Sequence, residues 1–91
     1  MVFRKIQANL GNALDIPQDV LSDVPKLTIV GNLQIWIENH TGLVEYTSEK
    51  VRVNSAIGQI SITGRDFVLV ELLPSEIKVE GRLQQINFGE E

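Results

Sequence analysis

Residues 37–46 read Ile-Glu-Asn-His-Thr-Gly-Leu-Val-Glu-Tyr, and this stretch decides the fold class. Ile37-Glu38 ends one run of alternating apolar and polar residues, and Val44-Glu45-Tyr46 alternates again, which is the pattern of two half-buried β-strands. Residues 39–42 between them are of the types that tight turns use. We expect a hairpin turn here, in which Asn39 and His40 tolerate the bend and Gly42 supplies a positive φ angle.

The same period of two continues along the rest of the chain after Pro25. Turn signals such as Gly31-Asn32 and Gly81-Arg82 separate the alternating runs. Short strands with tight connections are typical of an antiparallel sandwich or barrel. We therefore predict an all-β fold, a small antiparallel β-sandwich of immunoglobulin-like character with about seven to eight short strands. The predicted strands are residues 27–31, 33–38, 43–47, 50–54, 59–63, 67–72, 76–80 and 83–88.

Before Pro25 the apolar period is helical instead. Phe3, Ile6, Leu10 and Leu14 recur at steps of three and four residues, which places them on one face of a helix. The chain is therefore divided into an N-terminal amphipathic helical segment, residues 1–24, and an antiparallel β domain, residues 25–91. The regular spacing of the strands would also suit a β-solenoid. No residue pattern repeats at a fixed period, so the sandwich is favoured.

Two features of the β domain call for a covering partner. Residues 67–70 are apolar at every position, and Trp36 lies on the strand face opposite Ile35 and Ile37. The cover is the N-terminal helix, a second copy of the chain in a homo-oligomer, or another protein. The candidate interaction surface consists of Phe3, Ile6, Leu10, Leu14, Trp36, Phe67 and Leu69, with Val68 and Val70 as the alternative to Phe67 and Leu69.

Composition narrows the functional classes. Eight Lys and Arg stand against 12 Asp and Glu among 91 residues, and the cations are scattered, so a nucleic-acid partner is excluded. There is no cysteine, which excludes disulfides and thiolate chemistry and fits a reducing cytosol. No apolar stretch is long enough to form a transmembrane segment, and no signal peptide is recognisable.

The only histidine, His40, is the natural place to look for catalysis, with Glu38 or Glu45 beside it. A lone turn histidine without an H-x-x-H, H-E-x-x-H or G-x-S-x-G pattern is far more often structural. The scattered glycines form no nucleotide-binding motif. We therefore predict that the protein is not an enzyme and has no catalytic residue, no metal site and no cofactor.

Residues 23–31, Asp-Val-Pro-Lys-Leu-Thr-Ile-Val-Gly, and residues 37–40 followed by Gly42 carry a family resemblance. Residues 14–17 and 58–64 add to it. The chain resembles the YabP/YqfC family of endospore-formation proteins, and more closely its YqfC branch. The resemblance implies a small all-β domain without known enzymatic activity or cofactor, made in the mother cell during sporulation, with a sporulation membrane protein (YqfD-like) as companion. It marks Glu38, Asn39, His40 and Gly42 only as a family signature turn.

The expected function is thus protein–protein assembly during endospore formation, in the cytoplasm of the mother cell. Any association with the membrane would come through the partner. Three alternatives stay open. The first is a small ligand- or glycan-binding β module that uses Trp36 and Tyr46. The second is a hydrolase that uses Glu38 and His40. The third is a peripheral protein that lays its N-terminal stripe on a membrane surface.

Overall fold

A computed structural model describes residues 23–90. Six strands in this part of the chain form one antiparallel sheet in the order β1-β2-β6-β5-β4-β3. The all-β, antiparallel prediction is confirmed. The strands are β1 (Lys26–Val30), β2 (Gln34–Glu38), β3 (Gly42–Tyr46), β4 (Lys50–Asn54), β5 (Gln59–Leu72) and β6 (Glu76–Glu90).

The sheet is folded back on itself. In the sheet order β2 and β3 are four strands apart, which in a flat sheet would separate them by about 19 Å. Only residues 39–41 connect Glu38 to Gly42, and that length of chain reaches about 14 Å at most. The two strands can be joined only if the two ends of the sheet face each other.

The fold in the sheet lies within the two long strands, β5 and β6. Their register shifts between Thr63 and Gly64 and again between Arg65 and Val68. Such β-bulges bend a strand and increase its twist. Each long strand therefore passes from one half of the folded sheet to the other. The first half contains β1, β2, residues 76–80 and residues 68–72; the second half contains residues 83–90, residues 59–64, β4 and β3.

One apolar core lies between the two halves. Alternate residues of β2 and of early β6 enter it from the first half, and alternate residues of β4 and of early β5 enter it from the second. Each such side chain contributes roughly 1.5–3 kcal/mol relative to an exposed one. The buried apolar residues are Ile35, Ile37, Val51, Val53, Ile60, Ile62, Phe67, Ile77 and Val79.

The predicted sandwich of seven to eight strands needs correction. Gly64-Arg65-Asp66 and Gly81-Arg82 do not reverse the chain but form the bends inside β5 and β6, so four predicted strands are two. Glycine and aspartate supply the positive φ angles that bulges and turns both use: φ is 57° at Asp66 and 152° at Gly81. The N-terminal helical segment, residues 1–24, lies outside the described residues except for its last two.

Candidate functional site

The family signature turn, residues 38–42, joins the two halves of the folded sheet. It is not a hairpin, because β2 pairs with β1 and β6 while β3 pairs only with β4. The positive φ angle is at Asn39, 68°, and not at Gly42, so that prediction was wrong. Asparagine is one of the few side chains that tolerate this conformation, since its short polar group can bond locally.

Three hydrogen bonds hold the turn to separate parts of the domain. The backbone N–H of His40 donates to Ser75 O at 3.1 Å, and that of Thr41 donates to Asn54 O at 2.8 Å. The Asn39 side-chain Nδ2 donates to Val24 O at 3.0 Å, just ahead of β1. The turn thus ties the β5–β6 connection, the end of β4 and the start of the sheet together, which is a structural role.

The His40 side chain belongs to this structure and is only 4% exposed. Its Nδ1 accepts a hydrogen bond from the Gly42 backbone N–H at 3.0 Å, so Nδ1 carries no proton and the ring is the neutral Nε2–H tautomer. Within residues 23–90 the buried Nε2 has no hydrogen-bond partner. Burial lowers the pKa of His40 from 6.5, because the charged ring would lose its hydration.

Stability is expected to fall on mild acidification because of His40. The unfolded ring takes up a proton below pH about 6.5, whereas the folded ring resists protonation until its lowered pKa is reached. The stability that the neutral His40 ring gives to the fold is therefore complete above pH 6.5. It is lost as the pH falls, by at most about 1.4 kcal/mol per pH unit. Urea unfolding at pH 7.5, 6.5 and 5.5 measures this loss of stability.

The matched control for this experiment is His40→Gln, since the chain has no other histidine. The variant is expected to have a flatter pH profile over the same range, whatever its stability at pH 7.5. Parallel profiles for the two proteins would show that burial of His40 does not couple folding to pH.

The outer face of the first half carries Trp36. The register places Thr28, Trp36, Lys78 and Glu71 in one row across four neighbouring strand segments. Lys78 Nζ lies 5.1 Å from the centroid of the Trp36 ring and 3.8 Å from Glu71 Oε1. A cation over an indole at this distance is attracted to the ring face. Trp36 therefore points outward, as the alternation of β2 predicts, and is half-buried by its neighbours.

Large exposed apolar side chains lie on one side of this row. Val30, Leu33 and Val68 are each more than half exposed, and the register connects Val30 through Gln34 and Glu80 to Val68. With Trp36 they form what we call the outer patch. An open depression of about 510 Å³ beside it is lined by Val30, Leu33, Gln34, Asp66, Glu80, Gly81 and Arg82. Exposed apolar side chains with polar neighbours are typical of interaction sites.

The structure changes the membership of the predicted interaction surface. Phe67 is buried in the core at the bend, and Leu69 packs against the core, so neither belongs to an exposed surface. The alternative residues, Val68 and Val70, are the exposed ones. The bulge in β5 determines which of residues 67–70 face outward, and the alternation of apolar and polar residues does not show this. Phe3, Ile6, Leu10 and Leu14 lie outside the described residues.

Alternation with Ile35 and Ile37 predicts that Leu33 lies on the inner face of β2. It lies instead in the β1–β2 turn, where its N–H donates to Val30 O, and its side chain is exposed. Leu33 and Val30 are thus the members of the outer patch that sequence reasoning missed. An apolar residue directly after Gly31-Asn32 was the available signal, because a turn residue need not follow the phase of the strand.

The residues of the glycan-binding alternative do not share a face. Trp36 lies on the outer face, whereas Tyr46 stands opposite the buried Val51 in the register. The Tyr46 hydroxyl donates to Phe67 O at 3.0 Å and accepts from Leu69 N–H at 3.3 Å. Tyr46 therefore has a structural function.

The side chains named for the hydrolase alternative have structural surroundings in the described chain. His40 is buried in its turn, and Glu45 accepts from Arg52 Nε at 2.6 Å. No group of three or more potential metal-ligating side chains is found within residues 23–90. The same residues contain no helix long and apolar enough to cross a bilayer.

Comparison with known proteins identifies the relatives of this sheet. The sequence profile of the YabP family matches residues 22–91, which is most of the chain. The chain belongs to the YabP family. It is also 42% identical over 86 residues to the uncharacterized protein YqfC of Bacillus subtilis (strain 168), covering 94% of this chain and 92% of that protein. No solved structure matches the chain. The YabP/YqfC resemblance read from the sequence is therefore confirmed.

Proposed function

We propose that this member of the YabP family is a non-enzymatic sporulation protein that acts by protein–protein assembly during endospore formation. The outer patch is the observation that carries the assembly role. Val30, Trp36 and Val68 lie on the outer face, and Leu33 lies in the adjoining turn. Three of these four apolar side chains are more than half exposed. The sporulation context rests on the YabP/YqfC resemblance.

The partner we propose is a sporulation membrane protein of the YqfD type, reached from the cytoplasm of the mother cell. The outer patch suits a protein surface because it combines exposed apolar side chains with an aromatic ring that lies in a row with two charged side chains. Trp36 is the type of residue on which binding energy concentrates, and Lys78 with Glu71 can form a polar rim. Membrane association would then come through the partner.

Patch variants test this function in a spore-forming host whose own gene has been replaced. Trp36→Ala and Val68→Glu are expected to weaken partner binding by roughly 10- to 100-fold, since loss of an interface anchor costs about 1.4–2.8 kcal/mol. The number of heat-resistant spores should fall accordingly. Cross-linking in sporulating cells should lose the adduct with the YqfD-type protein in the same strains.

The matched control is Val44→Glu, because Val44 is an exposed valine on β3 in the other half of the sheet. It should form spores and the adduct as the unaltered chain does. Thermal unfolding of each purified variant separates loss of binding from loss of folding. Folded patch variants that sporulate and cross-link normally would refute assembly through this surface, and loss of spores with the adduct intact would refute the proposed partner.

A further inference from the structure

The folding of the sheet brings its free edges together in two pairs. On one side the end of β3 faces residues 67–69 of β5, and there the Tyr46 hydroxyl bridges Phe67 O and Leu69 N–H. We call this the closed seam. On the other side β1 lies beside residues 83–86 of β6, with a groove of about 230 Å³ between them. We call this the open seam.

Side chains that face the core remain uncovered along the open seam. Ile29 stands opposite the fully buried Ile35 and so points inward, yet it is 47% exposed. Phe88 stands opposite the fully buried Ile60 and is 57% exposed. Inward-facing apolar residues at the edge of a core favour an apolar cover, because their burial contributes free energy in proportion to the area removed from water.

The chemistry of the groove limits what this cover can be. Ile29, Leu83 and Ile86 supply its apolar surface, while Asn32, Gln84 and Gln85 line it with neutral amides. It therefore offers no charge to an ionic ligand. Its volume is also below the roughly 300–1,000 Å³ of typical small-molecule sites. A few apolar side chains from a polypeptide segment fit both properties.

We infer that the open seam is the docking site of residues 3–14 of this same chain. The apolar stripe of Phe3, Ile6, Leu10 and Leu14 would lie along β1 and late β6, against Ile29, Leu83 and Ile86. As a helix the stripe is about 17 Å long, close to the roughly 20 Å that residues 26–32 span in extended form. The two surfaces match in length and in apolar character.

The connection to the sheet favours this occupant over a second copy. Residues 15–25 separate the stripe from β1 and can span up to about 35 Å, so the stripe can reach either end of the groove. A short tether gives an attached segment an effective concentration in the millimolar range, well above that of a separate chain. The open seam is on the edge of the sheet, so docking leaves the outer face with Trp36 accessible.

A nitroxide label tests the docking in the full chain. The chain has no cysteine, so Asn12→Cys provides one attachment site, which the predicted helix would place on the face opposite the stripe. The label should broaden the backbone amide signals of Gly31, Leu83 and Ile86 several-fold more than those of Tyr46 and Leu69 in the closed seam. Mixing labelled chains with isotope-enriched unlabelled chains should give no broadening.

Two substitutions in the labelled chain complete the test. Leu10→Asp places a charge within the stripe and should abolish the selective broadening, whereas Ala8→Asp places it on the opposite helix face and should preserve it. Broadening in the mixed sample would assign the seam to a second copy and overturn the inference. Equal broadening at both seams, or none at either, would also overturn it.

Discussion

Gly64→Ala is expected to lower the unfolding free energy by roughly 3 kcal/mol or more, the upper end of what overpacking costs. A β-carbon at Gly64 would overlap the carbonyl oxygen of Arg82 and would lie 2.8 Å from Phe67 Cζ. The Arg82 oxygen belongs to the neighbouring strand, so it cannot move away without disturbing the β5–β6 pairing at the bend. Thermal and urea unfolding followed by circular dichroism measure the loss.

The size of the effect on melting follows from the size of the domain. A small domain has about 5–15 kcal/mol of total stability, and each kcal/mol corresponds to about 4–8 °C in Tm. Gly64→Ala should therefore melt at least about 12 °C below the unaltered chain.

Gly42→Ala is the matched control for Gly64→Ala. A β-carbon at Gly42 would have no heavy atom within 4 Å, and the φ angle there is not positive. Alanine restricts the unfolded chain more than glycine does, so the variant should be neutral or stabilised by up to about 1 kcal/mol. Equal losses of unfolding free energy in the two variants would mean that close packing at the bend is not the reason for glycine at position 64.

Phe67→Ala is expected to cost about 3–5 kcal/mol, the range for removing a buried phenylalanine ring. Phe67 is 3% exposed, and its ring fills the space that β-carbons at Gly64 and Gly81 would occupy. Its removal leaves a cavity at the place where both long strands change from one half of the sheet to the other. Urea unfolding at pH 7.5 gives the difference in free energy.

Leu72→Ala is the control for this second variant, because Leu72 lies in the same strand and is mostly exposed. Exposed substitutions usually change stability by less than about 0.5 kcal/mol. A Phe67→Ala variant as stable as Leu72→Ala would show that the bend does not depend on the ring.

The all-β class and most strand positions could be predicted from the sequence, because alternation records which residues face a core. The phase of β2 correctly placed Ile35 and Ile37 inside and Trp36 outside. The phase of residues 67–72 could not be predicted in the same way, because the bulge between Arg65 and Val68 shifts it. A bulge leaves no mark in the pattern beyond the glycine and aspartate that a turn would also use.

The order of the strands in the sheet could not be predicted from the sequence, for a related reason. A short connection normally joins neighbouring strands, and residues 39–41 are as short as a hairpin loop. Here they cross between the halves, because β6 occupies the position beside β2 that β3 would otherwise take. That arrangement depends on the bend at Gly64, which brings the two ends of the sheet within reach. The position of His40 in a turn did follow from the sequence, but its hydrogen bond from the Gly42 N–H did not, because nothing in the residue pattern indicates where the ring points.

The strand order also determines how the chain can acquire its structure. Four of the five ladders join strands that are consecutive in the chain, and only the ladder between β2 and β6 joins residues about 40 apart, such as Ile37 and Ile77. Local pairings form before distant ones because they close shorter loops. The β3–β6 meander can therefore assemble first, and the β1–β2 hairpin attaches to it late. That hairpin carries three of the four outer-patch residues, so the interaction surface is completed only at the last step of folding.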